Sequence, residues 1–200
     1  MARKGDQLSR YSMYKKIAQQ AHGLDLGRCV LSVSHSKDLC SRLGVSDECI
    51  QEANYPDVKI NATGLPSESV TAVISDQVFE HIACVPSEAV AEVHRILVPG
   101  GFAIHTSCFL MPYHGNQMYD YTDETNGDYW RYTPTGLAFL HRQYARIVAV
   151  DGWGNPLMSA ITGLGLAHSA VPEFRWHPLN LLSRLNRRSY AFVVWIIAQK

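Results

Sequence analysis

Apolar residues near the start of the chain recur every three or four positions. The pattern consists of Leu8, Tyr11, Tyr14, Ile17, Ala18 and Ala21. This spacing is typical of an amphipathic helix that buries one face. Gly23 follows the last of these residues, and glycine is favoured just beyond the end of a helix. The pattern therefore predicts a leading helix within residues 1–24.

The middle of the chain alternates between strand-like and helix-like patterns. The apolar run Val70 to Ser75 predicts a buried strand, and Phe102 to Thr106 predicts another. Between them, the apolar face of a predicted helix consists of Ala89, Val90, Val93, Ile96 and Leu97. Pro99 and the two glycines after it are expected to end that helix. Such strand-helix-strand crossovers build parallel sheets, which bind ligands at the carboxyl ends of their strands.

The remaining segments extend this pattern to the whole chain. Further strands are predicted for Cys29 to Val33, Cys49 to Ala53, Arg146 to Val150 and Tyr190 to Ala198, with a helix over Thr135 to Tyr144. We count about seven strands in all, without an internal repeat. The sequence thus predicts an α/β fold with a mostly parallel sheet in one domain over residues 1–200.

The composition limits the classes of binding partner and the cellular compartment that we expect for this protein. Hydrophobic residues make up 46% of the 200 positions, enough for a sizeable core. Eighteen basic residues balance eighteen acidic ones, so bulk charge gives no reason to expect nucleic acid or an anionic membrane. The five cysteines form no CxxC pair, which favours a reducing cytoplasm over a disulfide framework or a zinc site. The longest apolar run, Ala191 to Ala198, is too short to span a bilayer.

A basic and aromatic segment near the carboxyl terminus has two interpretations. It contains Phe174, Trp176, Arg184, Arg187 and Arg188. Such a segment is able to contact nucleic acid. Because the overall charge is neutral, we expect instead that the two aromatic rings pack inside the protein while the arginines face solvent.

Ordered motifs between Asn61 and Pro134 resemble one known family. Residues 61–107 are NATGLPSESVTAVISDQVFEHIACVPSEAVAEVHRILVPGGFAIHTS, followed by HG at 114–115, DYWRYTP at 128–134 and WGN at 153–155. The series is similar to the large S-adenosylmethionine-dependent methyltransferase family, in its type 11-like form. The resemblance implies the class I fold, a Rossmann-like seven-stranded sheet, with an acceptor-side loop over 110–134 and a C-terminal helical segment over 153–188. It also implies S-adenosylmethionine as cofactor, S-adenosylhomocysteine as product, and a small-molecule or sugar acceptor.

The segment that should hold the cofactor departs from the family pattern. In the family the first strand ends in an acidic residue and a glycine-rich turn, since backbone without Cβ approaches the cofactor closely. Here Ser32 replaces the acid, and Ser34, Ser36 and Asp38 stand where glycines are usual. Asn54 and Asn61 replace the acids that bind the ribose and the adenine amino group, and an amide forms weaker hydrogen bonds there than a carboxylate.

The resemblance nevertheless implies a definite set of site residues. The cofactor-binding set is Ser32, Ser34, His35, Ser36, Asn54, Tyr55, Asn61, Ala62, Asp76, Gln77, Val78 and His81. On the acceptor side, Tyr113, Tyr129, Trp130 and Arg131 would bind the substrate. The general base would be His114, since histidine titrates near neutrality, with Asp128 to orient it.

Three alternatives accompany this interpretation. The substituted cofactor segment is also compatible with an inactive methyltransferase-like protein that serves in binding or scaffolding. A nicotinamide-dependent oxidoreductase is disfavoured, because no G-x-G-x-x-G follows the first strand. Residues 116–127 would form either a lid over the acceptor or an ordinary surface loop. The acidic residues Asp120, Asp123 and Glu124 in that segment lack metal-binding spacing, so we expect no metal.

Overall fold

A computed structural model describes residues 7–115, 127–164, 171, 174 and 176–200. Within these ranges the chain forms one sheet of six strands. The strands are β1 (Val30–Val33), β2 (Ile50–Ala53), β3 (Val70–Ser75), β4 (Leu97–Cys108), β5 (Arg146–Trp153) and β6 (Val193–Gln199). The helices are α1 (Leu8–Gln20), α2 (Lys37–Arg42), α3 (Pro86–Ile96), α4 (Pro134–Leu140), α5 (Pro156–Gly163) and α6 (Pro178–Ser183).

The sheet is parallel on one side and antiparallel on the other. Its strand order is β2-β1-β3-β4-β6-β5. The first four strands run parallel to one another, and β6 runs antiparallel to both β4 and β5. The carboxyl ends of β1, β2, β3 and β4 therefore meet at a single edge of the sheet, which is where ligands bind in folds of this class.

Two hydrophobic clusters cover the two faces of the sheet. One packs α3 and the Leu137 side chain of α4 against Leu31, Val73 and Ala103. The other packs residues of α1, α2, α5 and α6 against the opposite face of the sheet. Successive side chains along each strand point alternately to the two faces. Helices on both faces of a largely parallel sheet confirm the predicted α/β, Rossmann-like class.

The predicted number of strands was wrong, and several predicted boundaries differ from those observed, most of all the start of β4. We counted about seven strands, whereas the described residues form six. The connection 54–69 contains only an isolated bridge between Lys59 and Ala62 before β3 begins. Strand β4 already begins at Leu97, which pairs with Val70, while the next pairing is Phe102 with Ala72. The residues between them bulge out of the ladder, so the Pro-Gly-Gly sequence lies inside the strand rather than separating helix from strand.

The aromatic residues near the carboxyl terminus do not pack as expected. Phe174 and Trp176 are 65% and 63% exposed, although we predicted that both rings would be buried. They lie before α6, whose buried Leu182 contributes to the core instead. Over the described residues, every helix falls short of the length and apolar character that crossing a bilayer requires.

Candidate functional site

A cavity of about 560 Å³ opens at the carboxyl ends of β1 and β3. Ligand pockets of this kind are usually about 300–1,000 Å³ in volume. The predicted cofactor residues that line it are Ser34, His35, Tyr55, Asn61, Asp76, Gln77, Val78 and His81. The lining residues that were not predicted from the sequence are Arg10, Val58, Lys59, Ile60, Ile82, Ala83 and Cys84. Lys37 is not one of the lining residues, and its Nζ lies 3.4 Å from Asp47 Oδ2.

The turn after β1 keeps a glycine-like backbone without glycine. Ser34 has φ of 49° and His35 has φ of 63°, so both occupy the left-handed region. Their N–H groups donate to Ala53 O and to Asn54 Oδ1, each at 2.9 Å. The contacts to the end of β2 hold two non-glycine residues in a conformation that costs about 1–2 kcal/mol each. The turn therefore retains the shape that glycines would give it, at an energetic cost.

Replacing Ser34 by glycine is expected to stabilise the protein by about 1 kcal/mol or less. Glycine removes the cost of the left-handed conformation, and its larger chain entropy in the unfolded state cancels part of the gain. Urea unfolding measures the difference. Ser41→Gly is the control, because Ser41 lies in α2 and glycine lowers the stability of a helix. A loss of stability in Ser34→Gly would contradict this account of the turn.

Four of the predicted cofactor residues lie outside the cavity lining. Ser32 is fully buried within β1. Buried Ser36 donates to Val33 O and accepts from the N–H of Asp76 at 2.7 Å, so its hydroxyl ties β1 to the end of β3. Asn54 accepts through Oδ1 from the His35 N–H and donates through Nδ2 to Glu52 Oε2 at 3.3 Å. Ala62 forms the isolated bridge with Lys59. These placements give Ser36 and Asn54 a role in shaping the turn.

The elbow after β3 depends on the hydroxyl of Thr106 in β4. Thr106 Oγ1 donates to Asp76 Oδ1 at 2.8 Å and accepts from Gln77 N at 2.9 Å and from Gln77 Nε2 at 3.1 Å. Gln77 has φ of 55°, so the elbow also contains a non-glycine residue in the left-handed region. Thr106 is fully buried, and it therefore fixes the position of two cavity-lining residues from inside the sheet.

Helix α1 contributes two partners to Asp76. The Tyr14 hydroxyl donates to Asp76 Oδ2, and Arg10 Nε lies 3.7 Å from the same oxygen. Burial works to lower the pKa of Arg10, but the charges of Asp76, Tyr14, Glu80 and Asp38 together outweigh it and raise the pKa above its ordinary value. The cavity thus contains a cation and an anion side by side. Arg10 could not be predicted from the spacing of motifs, because most of two βα units separate Arg10 from Asp76 along the chain.

Histidines lie beside the cavity on its β4 side. His81 lines the cavity, and its ring meets that of His114 edge to face with centroids 4.9 Å apart. His81 Nδ1 is 2.6 Å from the carbonyl oxygen of Gly127. Because a carbonyl only accepts, Nδ1 carries the hydrogen and Nε2 is left as an acceptor. His114 is not among the lining residues, and its Nε2 is 3.9 Å from Cys108 Sγ.

The predicted pair of His114 and Asp128 is brought together. Asp128 Oδ2 is 3.2 Å from His114 Nδ1 and accepts from the His114 N–H at 2.9 Å. Both oxygens of Asp128 also accept from the guanidinium of Arg131. Burial tends to raise the pKa of Asp128, but the hydrogen bonds from Arg131 and from the His114 N–H outweigh it and lower the pKa. Asp128 is therefore held as a carboxylate that orients the loop around His114.

Two of the four predicted acceptor-binding residues, Tyr129 and Trp130, pack beside the Phe79–His81 turn. The backbone N–H groups of Tyr129 and Trp130 donate to Glu80 O, and Trp130 Nε1 donates to Ile82 O at 2.9 Å. Tyr113, Tyr129 and Trp130 are each a little over one-third exposed. Arg131 lines a second, mostly apolar cavity of about 440 Å³ with Met111 and Pro112. The predicted lid, residues 116–127, lies outside the described residues except for Gly127.

A buried carboxylate and a buried thiol adjoin these residues. Glu80 is fully buried, and its Oε2 accepts from Ser107 Oγ at 2.8 Å, while its Oε1 has no hydrogen-bond partner among the described residues. Burial, and then the charge of Glu80, raise the pKa of Cys108 well above its ordinary value. Glu80 belongs to the motif series of residues 61–107, but neither Glu80 nor Cys108 was among the predicted site residues.

Comparison with known proteins supports the motif-based resemblance. A family profile described as a methyltransferase domain matches residues 11–105. This match confirms the resemblance that the motifs carried. No curated protein matches the chain.

Solved structures share the fold at low sequence identity. An S-adenosylmethionine-dependent methyltransferase from Archaeoglobus fulgidus superposes with a TM-score of 0.55 at 15% identity, over 96% of this chain and 95% of that one. One from Mesorhizobium loti gives 0.55 at 12% identity, over 96% and 98%. Phosphoethanolamine N-methyltransferase 2 of Haemonchus contortus, crystallised with S-adenosylmethionine, gives 0.56 at 12% identity, over 95% of this chain and 52% of that one.

Proposed function

We propose that this chain transfers the methyl group of S-adenosylmethionine to a small-molecule or sugar acceptor, because a methyltransferase-domain profile matches residues 11–105 and solved methyltransferases share the fold. The single observation that carries this proposal is the cavity at the carboxyl ends of β1 and β3. It lies between the left-handed turn at Ser34 and the elbow at Asp76, the two segments that the motifs assign to the cofactor.

The residues of the cavity fit this cofactor in charge and in shape. The methionine part of S-adenosylmethionine carries a carboxylate and an ammonium group, which suit the cation of Arg10 and the anion of Asp76. Asn61 offers an amide oxygen for the adenine amino group, and Tyr55 and Ile60 offer apolar surface for its ring. Arg10 Nε and Asp76 Oδ2 lie 3.7 Å apart, so the cation and the anion are close enough to be reached by the two charged groups of one methionine part.

We assign most of the rate enhancement to the orientation of the acceptor relative to the methyl group. When bound, S-adenosylmethionine supplies a methyl group activated by the positive sulfonium. The chain places the acceptor in line with that methyl group, and a well-oriented pair gains several kcal/mol over a free encounter. Val78 and Ile82 give the cavity wall apolar surface.

For a hydroxyl acceptor, we assign proton removal to His81. The role that we predicted for His114 and Asp128 stays a prediction, and the position of His81 in the cavity wall supports His81 as the nearer group. The hydrogen bond between Nδ1 and Gly127 O keeps the lone pair of Nε2 available for the proton. An acceptor without a proton to lose requires neither histidine.

Calorimetric titration with S-adenosylmethionine and S-adenosylhomocysteine tests the proposal. One site with a dissociation constant below about 1 mM is expected. No detectable binding up to about that concentration would overturn the enzyme hypothesis. It would favour the alternative, an inactive methyltransferase-like protein that serves in binding or scaffolding.

Replacing Arg10 by glutamine is expected to weaken S-adenosylmethionine binding about tenfold or more. The variant removes the cation that we assign to the cofactor carboxylate, and a hydrogen bond to a charged group contributes about 1.5–3 kcal/mol. Lys37→Gln is the matched control, because its side chain is as exposed as that of Arg10 but pairs with Asp47 away from the cavity. Equal losses of affinity in both variants would refute the assignment of Arg10.

A further inference from the structure

Three side chains with metal-binding atoms converge beside the cavity. Glu80, Cys108 and His114 each bring one such atom within 4.8 Å of the others. Cys108 Sγ lies 3.9 Å from His114 Nε2. A tetrahedral Zn²⁺ ion holds a cysteine sulfur and a histidine nitrogen about 3.6 Å apart. Movements of a few tenths of an ångström would therefore bring this pair into coordination geometry.

The cluster contains more lone pairs than hydrogens. Cys108 Sγ is 2.9 Å from Gln77 Oε1 and 3.2 Å from Met111 Sδ, and it also faces His114 Nε2. A thiol has one hydrogen and serves only one of these acceptors. Glu80 Oε1 is buried there without a hydrogen-bond partner among the described residues. A buried polar atom of this kind raises the free energy of the folded protein unless something pairs with it, and a cation would pair with Glu80, Cys108 and His114 at once.

The residues around the cluster orient its atoms in the way that is usual around bound metal ions. His114 Nδ1 is 3.1 Å from Pro112 O and 3.2 Å from Asp128 Oδ2, so it carries the hydrogen and Nε2 is the acceptor. Histidine ligands usually donate their other N–H to a carbonyl or a carboxylate in this way. Ser107 holds Oε2 of Glu80, which leaves Oε1 for the cluster.

We propose that Glu80, Cys108 and His114 bind one divalent transition-metal ion, with Zn²⁺ as the best fit to their oxygen, sulfur and nitrogen ligands. On binding, the Cys108 thiol loses its proton to solvent, and thiolate and carboxylate together balance the two positive charges. Three protein ligands leave a fourth position for water or for an oxygen of the acceptor. The sequence gave no such signal, because the ligands come from three separate segments without a CxxC or HxxxH spacing.

The site goes beyond the proposed methyl transfer and does not depend on it. It lies next to the cavity wall, since Gln77 contacts Cys108 and His81 contacts His114. A metal ion there takes the Nε2 lone pair of His114, so His114 is then excluded as a proton acceptor while His81 is not. Metal binding and cofactor binding are thus separate measurements on one preparation.

Zinc titration of untagged protein, first stripped with a chelator, tests the site. We expect one equivalent of Zn²⁺ to bind with a dissociation constant of about 1 µM or lower, measured against a chromophoric chelator. Co²⁺ in place of Zn²⁺ is expected to give a sulfur-to-cobalt charge-transfer band. A protein that takes up no zinc, or a cobalt spectrum without that band, would overturn the proposal. If the same preparation still binds S-adenosylmethionine, only the metal site fails.

Two variants identify the ligands. Cys108→Ser is expected to weaken zinc binding about a hundredfold, because a hydroxyl stays protonated where the thiol ionises. Cys49→Ser is the matched control, since Cys49 is a half-buried cysteine outside the cluster, and it should bind zinc as before. Retained affinity in Cys108→Ser, or an equal loss in both variants, contradicts the assignment. If Cys108→Ser fails to fold, the zinc affinity of Glu80→Gln and the cobalt spectrum of the unaltered protein test the assignment of the ligands instead.

Discussion

Lowering the pH from about 7 to about 5 is expected to reduce the free energy of unfolding by about 4 kcal/mol, with His105 and His141 contributing about half each. Both side chains are fully buried in the core. The Phe79 ring lies against His105, at a centroid distance of 4.5 Å. The two imidazoles are themselves only 5.3 Å apart, so a proton on one disfavours a proton on the other.

Burial sets the protonation state of this pair in the folded protein. Burial lowers the pKa of His141 from 6.5 to about 4, against a smaller opposing effect of the hydrogen bond to Leu137 O. Burial, followed by the neighbouring His141, lowers the pKa of His105 well below its ordinary value. Each ring makes one hydrogen bond through Nδ1, to Ser75 and to Leu137 respectively, and each Nε2 has no partner among the described residues.

The direction of the pH effect follows from these lowered values. Below about pH 6.5 both histidines take up protons in the unfolded chain but stay neutral in the folded one, so protons favour unfolding. The stability is therefore fully present above the unfolded pKa and is lost as the pH falls towards 4. The hydrogen bond from Arg95 lowers the pKa of Glu92 to about 2, so Glu92 stays ionised in both states down to about pH 5 and does not add to this loss.

Urea unfolding at several pH values between about 7 and 5 measures this loss. His141→Gln removes one of the two buried titrating groups, so its stability should fall by only about 2 kcal/mol over the same interval. His22→Gln is the control, because His22 is exposed beyond α1, and it should show the full dependence. A pH dependence that is unchanged in His141→Gln would show that other groups cause it.

The strong periodic patterns predicted the centre of the fold well. The apolar face of α3 and the flanking runs of β3 and β4 lie where they were expected, because amphipathic spacing reports directly on burial. The error at Pro99 has a local cause. A Pro-Gly-Gly sequence disfavours a helix but does not distinguish a strand boundary from a bulge, and the pairing of Leu97 with Val70 is a long-range contact.

The cofactor segment was harder to predict from residue types alone. Serines in place of glycines suggested a damaged turn, whereas Ser34 and His35 adopt the same left-handed backbone with support from the end of β2. Arg10 and Cys108 were missed for a related reason. Their importance comes from atoms that meet only after the sheet has formed, and no local spacing reports such a contact.

Replacing Thr106 by valine is expected to lower the free energy of unfolding by about 2–4 kcal/mol and to weaken S-adenosylmethionine binding about tenfold to a hundredfold. Valine has nearly the same shape, so packing within β4 is retained while the hydroxyl is lost. Asp76 then loses one of its donors, and the N–H of Gln77 is left without its acceptor. Leaving buried or partly buried polar groups unpaired is what makes the change costly.

The loss of affinity has a separate cause from the loss of stability. Gln77 holds a left-handed conformation that its two hydrogen bonds to Thr106 support, and without them the elbow is free to relax. The elbow forms one wall of the cavity, and Asp76 is the anion that we assign to the cofactor ammonium group. A relaxed elbow therefore misplaces a charge that the ligand requires.

Thr71→Val separates these two effects. Thr71 Oγ1 accepts from Cys29 N at 3.1 Å and donates to Cys29 O at 2.9 Å near the start of β3, away from the cavity. This control should lose stability but keep its affinity for S-adenosylmethionine, whereas Thr106→Val loses both and Thr106→Ser keeps both. Urea unfolding and calorimetric titration of the three variants measure the two quantities. An unchanged affinity in folded Thr106→Val would mean that the elbow at Asp76 and Gln77 does not shape the cofactor site.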